Sequence, residues 1–415
     1  MIWLKLAWRN LWRNRRRTLL ELASISGAVF LVITMYNLEA GSWEKMIEEG
    51  TVVGSGHIGL YHPQYLDERQ ITWGFAAAAL LARLDNDPQI AGAYPRVYLP
   101  GLARSSRESR PAALMGVDFA REQAINPLLA EARFVAGAMP DMADPAHRNS
   151  AVVGSHLAAE LRLEVGRRFV FMAQDQAGDI QRISLRIAGI IQTGSREIDA
   201  GTLLVSRDAL GLFLTESDHV HEIAIMLQGG SGQIPAVVQR VREWVAELDG
   251  VAPFPWYEAM PSLAETMQID IMSTLVIIGL LYILVGIGTV NTLLMSVMER
   301  TREFGIIRAL GIRKRGVRRV VMSEAVVLAS VGSAVGLLLA TLLGLYTSTH
   351  GIDLSGSMDA QEMGGVIFEP MLYSTFEIKG MIGLTASMFL IAVLASLYPA
   401  WRALKIHPAD AMRHY

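Results

Sequence analysis

Along this chain the apolar residues gather into four long blocks separated by polar and mixed stretches. Residues 19–38 (LLELASISGAVFLVITMYNL) supply roughly the 20 positions a helix needs to cross a hydrocarbon layer of about 30 Å. Their one early charge is Glu21. Residues 271–297 (IMSTLVIIGLLYILVGIGTVNTLLMSV) have no charged side chain and are long enough to span with tilt or to protrude. Residues 320–346 hold Glu324 near their start and are otherwise apolar with Gly, Ser and Thr, and residues 381–400 run to Pro399, where proline predicts a helix stop. The pattern predicts an α-helical membrane protein with four transmembrane helices. The first block outruns the apolar region of a secretory signal, and its 18-residue leader is long for one, so it is expected to be retained.

Basic residues orient the spans. Lys5, Arg9, Arg13, Arg15, Arg16 and Arg17 lie in the leader (1–18), Arg313, Lys314, Arg315, Arg318 and Arg319 in the segment 298–319, and Arg402, Lys405 and Arg413 in the tail 401–415. These three regions are expected on the cytoplasmic side, with both termini inside, and residues 39–270 and the loop 347–380 outside.

Residues 39–270 are long enough to fold independently and read as a mixed α/β extracytoplasmic domain inserted between helices 1 and 2. Residues 40–50 extend the first span as a helical stalk, and the stretch TVVGSGHIGLYHP (51–63) has the β-branched, Gly-bounded character of a strand. A helix is expected at 75–84, ended by Asn86-Asp87-Pro88. Strands follow at 94–99, 112–117, 151–153, 168–173, 183–191 and 222–227. Helices follow from Ser155 to a turn at Gly166 and at 234–248. Two subdomains are expected, one from the two ends of the insertion and one from its middle, with boundaries near 110 and 220.

The spans and the segment between the second and third carry further pattern. Gly332, Gly336, Ala340 and Gly344 recur every four residues, which lines small side chains along one helical ridge and predicts a packing seam, either within the bundle or in an oligomer. Glu21 and Glu324 sit at the cytoplasmic edge of their blocks, where pairing with Arg15–17 and Arg318–319 is expected; a proton or substrate relay is the lesser alternative for carboxylates at that depth. Residues 299–310 (ERTREFGIIRAL) place Phe304, Ile307, Ala309 or Leu310 near one face at helical spacing, with Glu299, Arg300, Arg302, Glu303 and Arg308 around them. Gly311 is placed to end this short helix. A helix lying on lipid favours a basic face with few acids. The alternation of Glu with Arg here fits a protein groove better.

Composition narrows the chemistry. The sequence has no cysteine, which removes disulfides, thiolate metal sites and cysteine nucleophiles, and a net charge of −3, which does not favour nucleic acid. No P-loop, HExxH or Gly-x-Ser-x-Gly motif is present. His219 and His221 form a His-x-His pair for which no third ligand is in sight, so a polar loop before a strand is the favoured reading. No catalytic, cofactor or metal residue is nominated.

The run ERTREFGIIRALGIRKRGVRRVVMSEAVVLASVGSAVGLLLA and the ending LYPAWRALKIHPADAMRH resemble the FtsX-like permease domain of ABC transporters. LAWRNLWRNRRRTLL, ALMGVD, VGSHLAAELRLEVG and IIQTGSREIDAGTLLVS resemble the MacB-like periplasmic core domain. In layout the chain looks most like the lipoprotein-releasing permeases of the LolC and LolE type. The resemblance implies a type VII mechanotransmitter of the bacterial inner membrane. Two permease chains, identical or different, would pair and engage two copies of a cytoplasmic ABC ATPase, which uses ATP and Mg; a periplasmic carrier or adaptor is a further partner. Glu299 to Leu310 would be the ATPase-coupling helix, and no cofactor would bind this chain itself. A regulatory transducer of a periplasmic enzyme, as in FtsX itself, and a drug or peptide efflux permease are the alternatives. MacB proper carries a fused ATPase that this chain lacks, so an independent ATPase subunit is expected. The resemblance carries no substrate-contacting residue over to this chain.

Overall fold

The computed structural model describes residues 2–193, 196–216, 218–246, 248, 250–310, 313–353, 361–363, 366–368 and 371–404. Gly311, Lys405 and Arg413 lie outside the described residues. The chain divides into two compact units, one of Met1–Trp43, Gln268–Asp353 and Leu372–Tyr415, the other of Glu44–Met267 and Leu354–Met371.

The first unit is helical. Its N-terminal helix Ile2–Leu11 is followed by four long helices, Arg15–Val53, Pro261–Glu299, Lys314–His350 and Ile378–Ala395, and two short ones, Thr301–Ala309 and Leu397–Leu404. By length and composition four helical stretches can cross a membrane: Ala7–Val53, Pro261–Glu299, Lys314–His350 and Ile378–Leu404. The stop expected at Pro399 is corrected. The chain turns at Ser396, and Pro399 occupies the first turn of the helix that restarts at Leu397. Proline lacks the N–H that would bond the Ala395 carbonyl and its ring crowds that oxygen, so the break falls one turn earlier, while a first-turn proline loses nothing.

The core of this unit joins Ile25, Val29, Val32 and Ile33 of the first long helix to Ile278 and Val285 of the second, Ala340 of the third, and Met381 and Met388 of the fourth. The Gly/Ala ridge is what brings the third helix against the first. A Cβ on Gly336 would lie 2.5 Å from the Ser26 carbonyl oxygen and 2.7 Å from Val29 Cβ, and one on Gly332 would lie 2.7 Å from Ile25 Cγ2. Ala340 is buried beside them, and a Cβ on Gly344 would lie 3.0 Å from the Phe376 ring. Of the two settings open to this ridge, the structure fills it within the chain.

The second unit is built on a ten-stranded sheet. Its strands are β1 (Ile58–Tyr61), β2 (Ile90–Arg104), β3 (Ser109–Val117), β4 (Phe134–Gly137), β5 (Ser150–Gly154), β6 (Arg168–Gln174), β7 (Ile180–Ile191), β8 (Thr202–Ser206), β9 (Glu222–Leu227) and β10 (Ala252–Pro255). They run in the order β10-β1-β9-β2-β3-β8-β5-β7-β4, with β6 pairing β2 and β7. The long strand β2 serves two neighbourhoods: its first half, through Arg96, pairs β9, and its second half, from Val97, pairs β3. The end-derived half of the unit therefore meets the middle half inside β2, at Arg96 and Val97, and the boundary expected near 110 is corrected to this point.

Other corrections are local. Thr51–Val53 belong to the end of the first long helix, and the strand begins only at Ile58, because Gly54 and a left-handed Gly56 (φ 72°) make the turn between. The helix expected at 75–84 is a two-residue strand, Phe75–Ala76, then Ala78–Leu84. The one expected to reach Gly166 is Ser155–Glu160, with Arg162 left-handed at φ 52° just beyond. The helix expected at 234–248 is Ile234–Val245.

Candidate functional site

The short helix Thr301–Ala309 follows the second long helix after a one-residue break at Arg300 and precedes the third. Nine residues cannot sustain a helix in water alone. Here one side of it is held by packing. Phe304 is 2% exposed and lies in a cluster with Val297, Val317, Val321, Ala400 and Ala403, edged by Met322 and Leu404. The two alanines of the YPAWRAL ending leave room for the ring. The reading of Phe304 as part of a docking ridge is corrected: it is spent on this chain's own core.

Charge fastens the other side. Arg300 donates from Nη1 to Glu324 Oε1 at 2.7 Å and from Nε to Glu303 Oε2 at 2.9 Å, and its guanidinium stands 5.1 Å over the Phe304 ring. Asn10 Nδ2 donates to the same Glu324 oxygen at 2.8 Å. Arg13 pairs with Glu303 at 2.7 Å and Arg17 with Glu299 at 3.1 Å. Burial raises the Glu303 carboxyl pKa, but hydrogen bonds from Arg13 and Arg300 outweigh it and hold the group below the usual carboxylate range. Glu324 thus pairs with Arg300 and Asn10, where Arg318 and Arg319 had been expected. Glu299, Arg300 and Glu303 form an intramolecular clasp between the N-terminal segment, the short helix and the third long helix.

A cavity of about 240 Å³ lies inside this clasp, bounded among others by Asn10, Arg17, Glu21, Ser296, Arg300 and Glu324. Glu21 is buried and its Oε1 has no hydrogen-bond partner.

What remains for a partner is a narrow face. Arg302, Ile306, Ala309 and Leu310 are exposed, Ile306 by 45% and Leu310 by 80%. Positions 302, 306 and 309 recur at helical spacing and fall on one side. Ile307 and Arg308 are half-buried between the two faces. Of the face expected from sequence periodicity, Ala309 and Leu310 are exposed, Ile307 is half-buried and Phe304 is buried, while Ile306 joins the exposed side.

Around this end of the helical unit lie exposed aromatics: Trp8 and Trp12 edge to face at 5.9 Å, and Tyr398 and Trp401 at 6.4 Å. Aromatic rings beside basic side chains are the composition of a membrane–water boundary.

In the second unit His219 and His221 do not converge on a ligand. His221 is fully buried, its Nδ1 accepts from the Tyr98 amide at 2.9 Å, and its Nε2 bonds the Ile71 carbonyl at 3.0 Å. Burial lowers its pKa to about 4. Among the described residues no group of three or more His, Asp or Glu could hold a metal.

The FtsX-like permease C-terminal family model matches residues 275–408 and the MacB-like periplasmic core domain model residues 18–244. The lipoprotein-releasing system transmembrane protein LolC of Xylella fastidiosa strain 9a5c is 24% identical over 370 residues, 82% of this chain and 81% of its own length. The macrolide export ATP-binding/permease protein MacB 2 of Aeromonas hydrophila is 23% identical over 419 residues, covering 96% of this chain but 58% of that protein. Among solved structures, the periplasmic region of MacB from Actinobacillus actinomycetemcomitans aligns at a TM-score of 0.38 and 13% identity, over 55% of this chain and 98% of that one.

Proposed function

Because this chain belongs to the family of ABC-transporter permeases that join an FtsX-like membrane domain to a MacB-like periplasmic core, we propose that it is a permease that converts ATP hydrolysis by a partner ATPase into movement of its second unit. The observation that carries this reading is the short helix Thr301–Ala309, clamped on one side and exposed along Arg302, Ile306, Ala309 and Leu310 on the other. A load-transmitting contact needs such a grip. A partner pushing on the exposed ridge would act through Phe304 and Arg300 on the ends of the second and third long helices and through Glu303 and Glu299 on the N-terminal segment.

In this reading the basic, tryptophan-bearing end faces the cytoplasm, both termini with it, and the chain sits in the bacterial inner membrane with the second unit outside, inserted between the first and second long helices. Two permease chains, as a homodimer or heterodimer, would engage two ATPase copies that bind ATP and Mg. We assign the substrate class to lipid-modified proteins, because the matched region spans most of the LolC relative's own length. Export of a small amphiphile is the second reading, favoured by export relatives such as the pyoverdine exporter PvdT of Pseudomonas fluorescens, matched over 98% of this chain. A regulatory transducer, moving no substrate, is the third.

The test is reconstitution. The chain is purified with its co-purifying P-loop ATPase, placed in liposomes, and offered a triacylated protein and a small amphiphilic siderophore in parallel. ATP-dependent release of the acylated protein supports the assignment. Export of the siderophore alone overturns the substrate class, and failure of any ATPase to co-purify overturns the transporter reading.

A further inference from the structure

The first long helix ends in the second unit, at Val53; of its last four carbonyls, those of Gly50 and Thr51 accept from the Gly54 and Gly56 amides at 2.8 Å, which leaves those of Val52 and Val53 in need of side-chain donors. Arg96 supplies them. Its Nη2 donates to the Val52 carbonyl at 2.7 Å, and its Nη1 donates to the Val53 carbonyl at 2.9 Å and to that of Gly54. On its other edge Nε donates to Glu122 Oε1 at 2.6 Å and Nη2 to Glu122 Oε2 at 3.1 Å, while Asn126 Nδ2 donates to the same Oε2 at 2.8 Å. A guanidinium has five N–H donors, and these contacts use all of them. Arg96 is 0% exposed and Glu122 1%.

The position of Arg96 gives these bonds a mechanical meaning. It is the residue at which β2 passes from pairing with β9 to pairing with β3. Glu122 ends the short helix Phe119–Glu122 that follows β3, in the middle half of the unit. One side chain therefore holds the end of the stalk helix, the end-derived half and the middle half together. The covalent route from helix to sheet runs through the turn Gly54-Ser55-Gly56, which the Gly54 and Gly56 amides tie back to the Gly50 and Thr51 carbonyls at 2.8 Å and which Arg96 braces at the Gly54 carbonyl.

We propose that Arg96, braced by Glu122, is the positioning residue that makes this joint stiff, so that displacement of the stalk helix moves the sheet instead of being absorbed in the glycine turn. The role suits arginine specifically. Its planar fork reaches helix carbonyls and carboxylate at once, its charge complements the negative end of the helix, and lysine cannot reproduce the five-donor geometry.

This assignment rests on the transmitter reading, but its first measurement does not. The sequence has no cysteine, so spin labels can be placed in the full-length protein at Glu48→Cys on the stalk and Arg167→Cys in the middle half, both exposed positions. A control pair, Arg104→Cys and Glu131→Cys, lies within the middle half. Arg96→Met alone would leave Glu122 as a buried orphan charge and endanger folding, so the decisive variant is Arg96→Met with Glu122→Leu, which removes both charges. In lipid discs the wild-type 48–167 distance is expected to be a single narrow peak. In the double variant it loses that peak and spreads, while the 104–131 distance is unchanged. In the reconstituted complex the same variant keeps ATP hydrolysis and loses ATP-driven release. A 48–167 distribution as narrow as wild type overturns the proposal, as does wild-type release alongside a broadened one. If the wild-type complex itself releases nothing, the transporter reading fails and the distance result still decides the stiffness of the joint.

Discussion

Phe304 and Ile306 stand two residues apart on one nine-residue helix, yet substituting them should have opposite consequences. A buried phenylalanine removes about 200 Å² from water, which at about 25 cal/mol per Å² amounts to about 5 kcal/mol. Alanine keeps a fraction of this and leaves a cavity among Val297, Val317, Val321, Ala400 and Ala403. Phe304→Ala is therefore expected to cost about 3–5 kcal/mol locally and to loosen the helix on the permease itself, with no partner present. Ile306→Asp, at a position 45% exposed, replaces a side chain this chain does not need and should alter its stability by less than about 0.5 kcal/mol. If Ile306 and Leu310 meet an apolar groove on the ATPase, the buried carboxylate should cost at least about 2 kcal/mol of association, roughly a thirtyfold weakening. Melting of the purified permease in detergent measures the first effect and ATPase co-purification the second. The expected result is a lowered melting temperature for Phe304→Ala alone and loss of the partner for Ile306→Asp alone. Undisturbed melting of Phe304→Ala, or full recovery of the ATPase with the double variant Ile306→Asp/Leu310→Asp, would refute the assignment of faces.

Three other expectations follow from the same contacts. Gly336→Leu must push aside the Ser26 carbonyl and Val29 and should destabilise the bundle by about 1–3 kcal/mol, whereas Gly288→Leu, whose added carbon meets nothing within 4 Å, should leave detergent melting unchanged; equal effects would contradict the seam. Glu324→Leu leaves Arg300, which is 12% exposed, with Glu303 alone of its two carboxylates and should cost about 1.5–3 kcal/mol, with Arg300→Met/Glu324→Leu recovering most of the loss in the same melting assay; no recovery would count against the pair. His221, held near 4, refuses a proton that the unfolded chain accepts near its ordinary 6.5, so stability should fall as pH drops from about 6.5 toward 4, by up to about 3 kcal/mol, and be indifferent to His221 above that window. Glu222, its pKa raised by burial, acts in the opposite sense, so the comparison is between wild type and His221→Gln. Denaturation followed by tryptophan fluorescence at several pH values should show a shallower acid slope in the variant, and identical slopes would reject the assignment.

The hydrophobic blocks and the FtsX-like and MacB-like motifs were legible because both depend on long, redundant runs of residues. The direction in which Phe304 faces was not, since a nine-residue amphipathic helix with apolar residues at 304, 306, 307 and 310 offers two plausible sides. Long-range ion pairing chose between them, and no local pattern encodes the approach of Arg13 and Arg17 to Glu303 and Glu299. The subdomain boundary was misplaced because a strand shared by two neighbourhoods shows no break in sequence. Arg96 did leave a trace, as a lone charge within the apolar run of GAYPRVYLP, where a fully buried cation demands an anion and a set of carbonyls to be tolerated at all.

The bonds that fasten the short helix differ in their access to water. The Arg13–Glu303 pair is about half exposed on both sides, the Arg17–Glu299 pair is shielded on the arginine side only, and Arg300–Glu324 is almost wholly enclosed. Dissolved ions weaken the first most and the last least. The fastening thus behaves like a row of latches of graded strength. A growing strain, or a rising salt concentration, opens the N-terminal latch first and leaves the Phe304 and Arg300 anchorage closed, so the helix would swing before it detached.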